Sequence, residues 1–391
     1  MNSTSPFRPA SPLLGFCPPT LPGNWYFDAD HFKREQAEIH AKSWIYVGRV
    51  NDLPTLTMRR IEIAGQNLFL VKDETGAIRC FHNTCRHRGS ELCVHQNTKL
   101  KAKMISCPYH DWGYDLAGAL VRIPHVGETP GFDKSQNSLF PAHVKIWNGF
   151  IYVCLADNPP DFTKAPDLGV AALNSWPMEN LVTGHTVAKT LNCDWKVFWE
   201  NYNECLHCPG IHPSLCDMVP VYKQGVMTAR EALDWTPDSD VEPTLKTGAK
   251  TWTINGQPCG TEFANLSEEQ RQAGHLFVTL MPTMYIVAHV DYVRVVSLRP
   301  VAPEVTELTA EWLFTPENLM AANFNLANVV DFAKTVMMED GAACELNQRG
   351  LGSNRYRHGT LMPQEFDVFN FHQWLRRKLG EPLYRPEVAS C

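Results

Sequence analysis

Two short cysteine–histidine pairs constrain this chain more than any other feature: Cys85-Arg86-His87 and, twenty residues beyond His87, Cys107-Pro108-Tyr109-His110. Two thiolates and two neutral imidazoles satisfy a tetrahedral structural zinc, or a [2Fe–2S] cluster in which histidines replace two cysteines on one iron. The donor count leaves both open. Cys-x-His is unusual for a zinc finger, and each pair offers one sulfur and one nitrogen, so each loop can reach both irons; the spacing favours the cluster. Cys93-Val94-His95 repeats the Cys-x-His spacing and competes for the role. Gly89 arbitrates, because it directly follows Cys85–Arg88 and permits the tight backbone approach a cluster loop needs. Cys93 then reads as a buried residue and His95 as a surface one.

The pairs sit among short strand-like runs, Trp44–Val47, Met58–Ile63, Asn67–Val71 and Ile78–Phe81, separated by Ala64-Gly65-Gln66 and Asp73-Glu74-Thr75-Gly76. Such punctuation predicts an all-β module. The chain has 391 residues, room for two or three domains. Asn158-Pro159-Pro160-Asp161 is the expected boundary. Beyond it the text turns α+β: a helix over Asp194–His207, alternating apolar runs at Leu276–Val296 and Glu307–Phe314, a long helix from Thr315 to Arg349, and a last one over Glu365–Leu379. The division expected is an arm over 1–43 packing on the catalytic part, a β module over 44–160, and a catalytic domain over 161–391.

A net charge of −7 with no long basic run excludes a dedicated nucleic-acid or anionic-membrane binder. The longest apolar stretch, Phe150–Ala156, is about a third of a bilayer span, and Met1–Gly23 is rich in Ser and Pro where a signal peptide would be apolar. A cytoplasmic location is expected. In that reducing compartment the 13 cysteines should be buried residues or metal ligands rather than disulfides.

Phe81-His82-Asn83-Thr84-Cys85-Arg86-His87-Arg88-Gly89 and Cys107-Pro108-Tyr109-His110-Asp111-Trp112-Gly113-Tyr114-Asp115-Leu116-Ala117-Gly118 resemble the Rieske domain of the Rieske non-haem iron oxygenases. The resemblance implies that Cys85 and Cys107 hold one iron, and His87 and His110 the other. Asp111 departs from the glycine usual after the second histidine. The rest of the chain offers a second constellation, Glu204-Cys205-Leu206-His207-Cys208-Pro209-Gly210-Ile211-His212. Pro209-Gly210 should break the helix after His207 and turn His212 back towards the same point. Two histidines and a carboxylate form the facial triad of non-haem Fe(II) oxygenases. An inward-facing acid in the long helix should be paired or metal-bound; the family pattern, an acid five residues ahead of a Glu-x-x-Gln stretch, selects Asp340 as third ligand, with Glu339 as the alternative. A zinc site using Cys205 and Cys208 is also conceivable.

Glu204 precedes His207 by three residues, within reach on one helical face. In the resembled family an acid here bridges the Rieske histidine of one subunit to an iron ligand of its neighbour, which implies catalytic importance for Glu204 and a homotrimer. Glutamate there, with the Glu-Cys-x-His-Cys run, is similar to the branch acting on carnitine, glycine betaine, choline and stachydrine, although Leu206 departs from that branch's usual Tyr. The resemblance implies an N-terminal all-β Rieske domain, a C-terminal helix-grip domain, and oxygenation of a small substrate by O₂. It also implies a mononuclear Fe(II) and a separate flavin or ferredoxin-type reductase drawing on NAD(P)H, since no Gly-x-Gly-x-x-Gly follows a strand here. Monooxygenation of a quaternary ammonium compound is expected, by hydroxylation or N-demethylation, with Phe277, Met281, Tyr285, His289 and Trp312 as pocket residues. Aromatic-ring hydroxylation or O-demethylation is the alternative activity, and a Rieske electron carrier with a ligand-binding domain the non-enzymatic one. Cys107→Ser should abolish the brown visible absorption of the purified protein while Cys93→Ser leaves it; the reverse result would exchange ligand and decoy.

Overall fold

The computed structural model describes residues 11–124, 127, 129–162, 170–236, 245–322 and 324–386. The outer ends of the expected arm and catalytic domain, 1–10 and 387–391, lie outside the described residues. Alternation and turn chemistry build the first half. Strands β1 (Ile45–Arg49), β2 (Thr57–Ile63), β3 (Gln66–Lys72), β4 (Ile78–His82) and β5 (Asn97–Lys99) precede a small three-stranded sheet of β6 (Ile105–Ser106), β7 (Gly113–Tyr114) and β8 (Leu120–Arg122). Strands β9 (Pro141–Trp147) and β10 (Phe150–Cys154) then close a seven-stranded sheet in the order β1-β10-β9-β4-β3-β2-β5. Ala64 and Gly65 both have positive φ (51° and 70°), and Ile63 faces Gln66 across the turn. This is the two-residue hairpin whose backbone twist matches that of the flanking strands.

The second half is an antiparallel sheet of β11 (Val182–Leu191), β12 (His275–Leu280), β13 (Met284–His289), β14 (Val293–Ala302) and β15 (Val305–Phe314), ordered β11-β15-β14-β13-β12. The helices are α1 (Ala29–Glu35), α2 (Trp195–Tyr202), α3 (Cys208–Ile211), α4 (Pro213–Met218), α5 (Glu268–Ala273), α6 (Pro316–Met320), α7 (Leu326–Leu351) and α8 (Phe366–Leu379). The chain is α+β, an all-β module followed by an antiparallel sheet with long helices. Side chains alternate across this sheet. Tyr285, Val287, Val296 and Trp312 face a core shared with α2 and α7, whereas Met284, Ile286, Val293 and Val295 face a second core that includes Tyr46, Phe150 and Tyr152 of the β module.

Two helices differ from the sequence expectation. The segment expected as one helix to His207 stops at Tyr202, where Asn203 leaves the helical region and its N–H donates to the carbonyls of Trp199 and Glu200. Pro209 and Gly210 lie inside α3 rather than breaking a helix, because proline is tolerated in a first turn, where its missing N–H has no partner to lose. The expected Thr315–Arg349 helix is likewise two. Thr315 caps α6 through Asn318 N–H, but Ala321 is extended, and Asn325 starts α7 by accepting from Asn328 N–H.

The segment from Leu21 to Ile39 packs into the core around α2 and α7. Its anchor is electrostatic. The Lys196 ammonium at the start of α2, fully buried, lies 2.8 Å from Glu35 Oε1 and 2.8 Å from Asp194 Oδ1, and Trp195 Nε1 donates to Glu35 at 2.9 Å. Burial pushes the Glu35 carboxyl up, but the attraction of Lys196 and hydrogen bonds from His31, Lys196 and Trp195 outweigh it and hold Glu35 ionised. Lys196→Ala leaves the buried Glu35 carboxylate without its cation, whereas burial raises the Asp194 carboxyl to about 8. The substitution should cost about 3–5 kcal/mol, read as a lowered midpoint in chemical denaturation; an unchanged midpoint would mean the network contributes nothing.

Candidate functional site

The first cluster of chemistry-bearing residues sits on two loops of the β module, built to one pattern. Gly89 N–H donates to Cys85 C=O at 2.9 Å and Asp111 N–H to Cys107 C=O at 3.0 Å, each closing a turn of five residues with a left-handed residue, φ +80° at Gly89 and +56° at Asp111. Asp tolerates this conformation better than most residues, which is how Asp111 replaces the glycine usual in this position. Its carboxylate also pairs with Arg122. The loops bring the His87 and His110 rings to 4.6 Å, with Trp112 stacked on His87 at 4.8 Å. Cys85 and Cys107 are buried and in mutual contact, and Tyr114 Oη lies 3.2 Å from Cys85 Sγ. Two thiols inside and two imidazoles at the rim suit a Rieske cluster. Cys93 is buried, its backbone held by Asn83 at 2.8 and 2.9 Å, and His95 is exposed.

The second cluster forms where the turn after α2 meets α7. One donor atom from each of His207, His212 and Asp340 lies within 4.8 Å of the others, a geometry that can hold a metal ion. His212 Nε2 is 2.9 Å and His207 Nε2 3.5 Å from Asp340 Oδ1. The opposite ring nitrogens are held by two further acids: His207 Nδ1 contacts Glu204, and His212 Nδ1 lies 2.8 Å from Glu339 Oε2. Carboxylates behind metal-binding histidines fix tautomer and orientation, so Asp340 and Glu339 occupy different places around His212. Burial pushes the His207 imidazole down, but Asp340 and Glu204 outweigh it and raise it to about 9. Metal binding at neutral pH therefore displaces a proton. Burial raises the Asp340 carboxyl and the two histidines more than reverse that.

Glu204 reaches His207 through a turn, not along a helix face. Its carboxylate also accepts from the N–H groups of Leu206 and His207 ahead of α3. Cys205 and Cys208 are joined as a disulfide around His207, contrary to the expectation of free cysteines: the two Cα atoms stand 5.0 Å apart, within bridging distance.

A cavity of about 260 Å³ opens beside these donors, walled by Tyr202, Trp252, Phe277, Tyr285, Arg294 and Met337. Of the expected pocket residues, Phe277 and Tyr285 line it. Met281 packs in the core, His289 is buried and stacks on Tyr292 at 4.2 Å, and Trp312 is fully buried on the sheet's inner face. Tyr202, Trp252 and Arg294 escaped the sequence reading. Arg294 had a signal, the one charge in the apolar run Tyr292–Val296 and on the same face as Phe277.

No helix among the described residues is long and apolar enough to cross a membrane. Residues 43–133 match the Rieske [2Fe–2S] domain, and residues 178–381, more than half the chain, match the ring-hydroxylating alpha subunit catalytic domain. The glycine betaine monooxygenase oxygenase subunit of Pseudomonas aeruginosa PAO1 is 26% identical over 387 residues, covering 92% of this chain and 89% of that protein. The crystal structure of the quaternary ammonium Rieske monooxygenase CntA with L-carnitine superposes with a TM-score of 0.70 at 22% identity, over 92% of this chain and 95% of the other. Naphthalene 1,2-dioxygenase from Rhodococcus sp. gives 0.71 at 17% identity, over 93% and 95%, so the fold alone does not choose between the two chemistries. An oxygenase subunit implies a separate reductase as partner. With its Rieske domain, its His-His-Asp candidate iron site and these matches, the chain belongs to the family of Rieske non-haem iron oxygenase alpha subunits.

Proposed function

We propose that the chain is the terminal oxygenase of a monooxygenase system that attacks a carbon next to the nitrogen of a small quaternary ammonium compound. The observation that carries this reading is the aromatic wall beside the three metal donors. Tyr202 packs on Tyr285 at 4.3 Å and on Phe277 at 6.2 Å, and Phe277 on Trp252 at 5.7 Å, a contiguous aromatic box side along the cavity, where a ring face turned to a desolvated cation attracts it by about 1–2 kcal/mol. The relative acting on glycine betaine and the carnitine-bound neighbour support it.

In this reading Cys85, His87, Cys107 and His110 hold the [2Fe–2S] cluster, and His207, His212 and Asp340 hold Fe(II), which when bound supplies dioxygen activation with electrons from the reductase. Glu204 and Glu339 orient the two histidines. Glu204, only 14% exposed, is also the contact through which a neighbouring subunit's Rieske centre reaches the iron site in a homotrimer. The aromatic box fixes the substrate nitrogen so that one C–H bond faces the donors. One oxygen atom enters that bond and the other leaves as water with two protons and two electrons. A hydroxylated N-methyl group then departs as formaldehyde, leaving the tertiary amine and a proton.

Asp340→Ala should lower iron from about three to about two per chain with the Rieske spectrum intact, whereas Glu339→Ala should keep about three; the opposite pattern would move the ligand by one residue. With a surrogate NADH-linked reductase, at least one compound of a panel of glycine betaine, carnitine and choline should drive O₂ uptake. Uptake with aromatic acids alone would replace this reading with ring hydroxylation or O-demethylation.

A further inference from the structure

Arg294 is 5% exposed, yet it is one of the residues lining the cavity that holds the metal donors. Its Nε is buried without a hydrogen-bond partner, and among the described residues the side chain makes no ion pair. Tyr202, Tyr285, His289 and Tyr292 lie near enough to feel its charge. The acids bordering the cavity are engaged elsewhere: Glu204 and Asp340 on the histidines, and Asp367 with Asn370. A buried cation with no counter-ion is costly, and at a cavity wall a ligand can supply the missing charge.

Backbone register fixes where that charge must lie. Phe277, Val287, Arg294 and Trp312 form one row across β12, β13, β14 and β15, on the inner face of the sheet. Tyr285 stands beside Val287's row on the same face, two residues along β13. The guanidinium is therefore set into the same wall as the aromatic box, with the metal donors contributed by the opposing turn and α7.

We infer that Arg294 binds the carboxylate of the substrate, so that the substrate is a zwitterion carrying a quaternary nitrogen and a carboxylate, and not a simple cation. The inference rests on the quaternary ammonium reading for the cationic end only. The planar guanidinium suits bidentate recognition of a carboxylate. It also repels a ligand that brings a positive charge and no anion, which sets betaines apart from choline.

The test uses iron-loaded holoenzyme under anaerobic conditions, with binding read from the quenching of tryptophan fluorescence, Trp252 being part of the wall. Steady-state O₂ uptake supplies KM and kcat. Glycine betaine and L-carnitine should bind the natural protein at least about tenfold tighter than choline. Arg294→Gln should weaken both carboxylate probes about 30-fold or more and raise their KM more than it lowers kcat, while choline changes by less than about threefold and Arg294→Lys falls between. Arg294→Gln that binds glycine betaine and carnitine as tightly as the natural protein, with iron content and Rieske spectrum intact, overturns the inference. So does natural protein that binds choline as tightly as the betaines, which needs no variant to fold. Arg294-dependent binding of benzoate, with no quaternary ammonium compound bound, upholds the anion site and overturns the cationic reading instead.

Discussion

The contact between the Asp340 carboxylate and the two imidazoles of His207 and His212 organises the catalytic half of the molecule. No single element can deliver two histidines and an acid to one point with open positions left between them. The turn after α2 supplies the histidines and α7 supplies the acid, so α2 and α7 must be held side by side. Every larger feature of the domain serves that juxtaposition: the sheet gives α7 a surface to lie on, and the N-terminal segment locks the start of α2 through Lys196 and Glu35. The acids Glu204 and Glu339, on the far nitrogens of the same rings, remove the remaining rotational freedom.

Much of this arrangement was legible in the sequence because candidate metal donors are marked by residue type and spacing, with Asp340 selected by the family resemblance. The two loops around Cys85 and Cys107 and the run from Glu204 to His212 stand out without any knowledge of the fold. The extent of the helices was less legible. Asn203 and Asn325 interrupt segments whose apolar spacing reads as continuous, and local side-chain and backbone hydrogen bonds decide such ends, not periodicity. The contact of Glu204 with His207 was anticipated through a helical face that does not exist; a three-residue turn gives the same proximity. The Cys205–Cys208 bridge was missed because the cysteines were read from the expected reducing compartment and not from their three-residue spacing.

The cavity was the least legible part. Which of several aromatic residues in alternating strands faces a cavity depends on sheet register and on how far each side chain lies from the turn carrying the histidines. Phe277 and Tyr285 lie close enough, whereas His289 and Trp312 share their face but are covered by neighbouring core. Trp252 lies in a segment without periodic pattern, and nothing in the text marks it. A lone charge in an apolar strand, as at Arg294, is the kind of local inconsistency that marks a functional position.

The catalytic sheet is a party wall, with one tenant on each side. Its outer residues, Met284, Ile286, Val293 and Val295, hold the Rieske module, where Tyr46 donates to Glu311 at 2.7 Å and Tyr152 to Met284 Sδ at 3.1 Å. Its inner residues, one position away along the same strands, face the α2/α7 core and, at Phe277, Tyr285 and Arg294, the cavity beside the metal donors. Because a strand assigns neighbouring residues to opposite faces, the two surfaces can diverge independently over evolutionary time. Substrate range can drift through every second residue while the docking of the electron-carrying module stays unchanged, and insertion of a single residue in β14 would damage both at once.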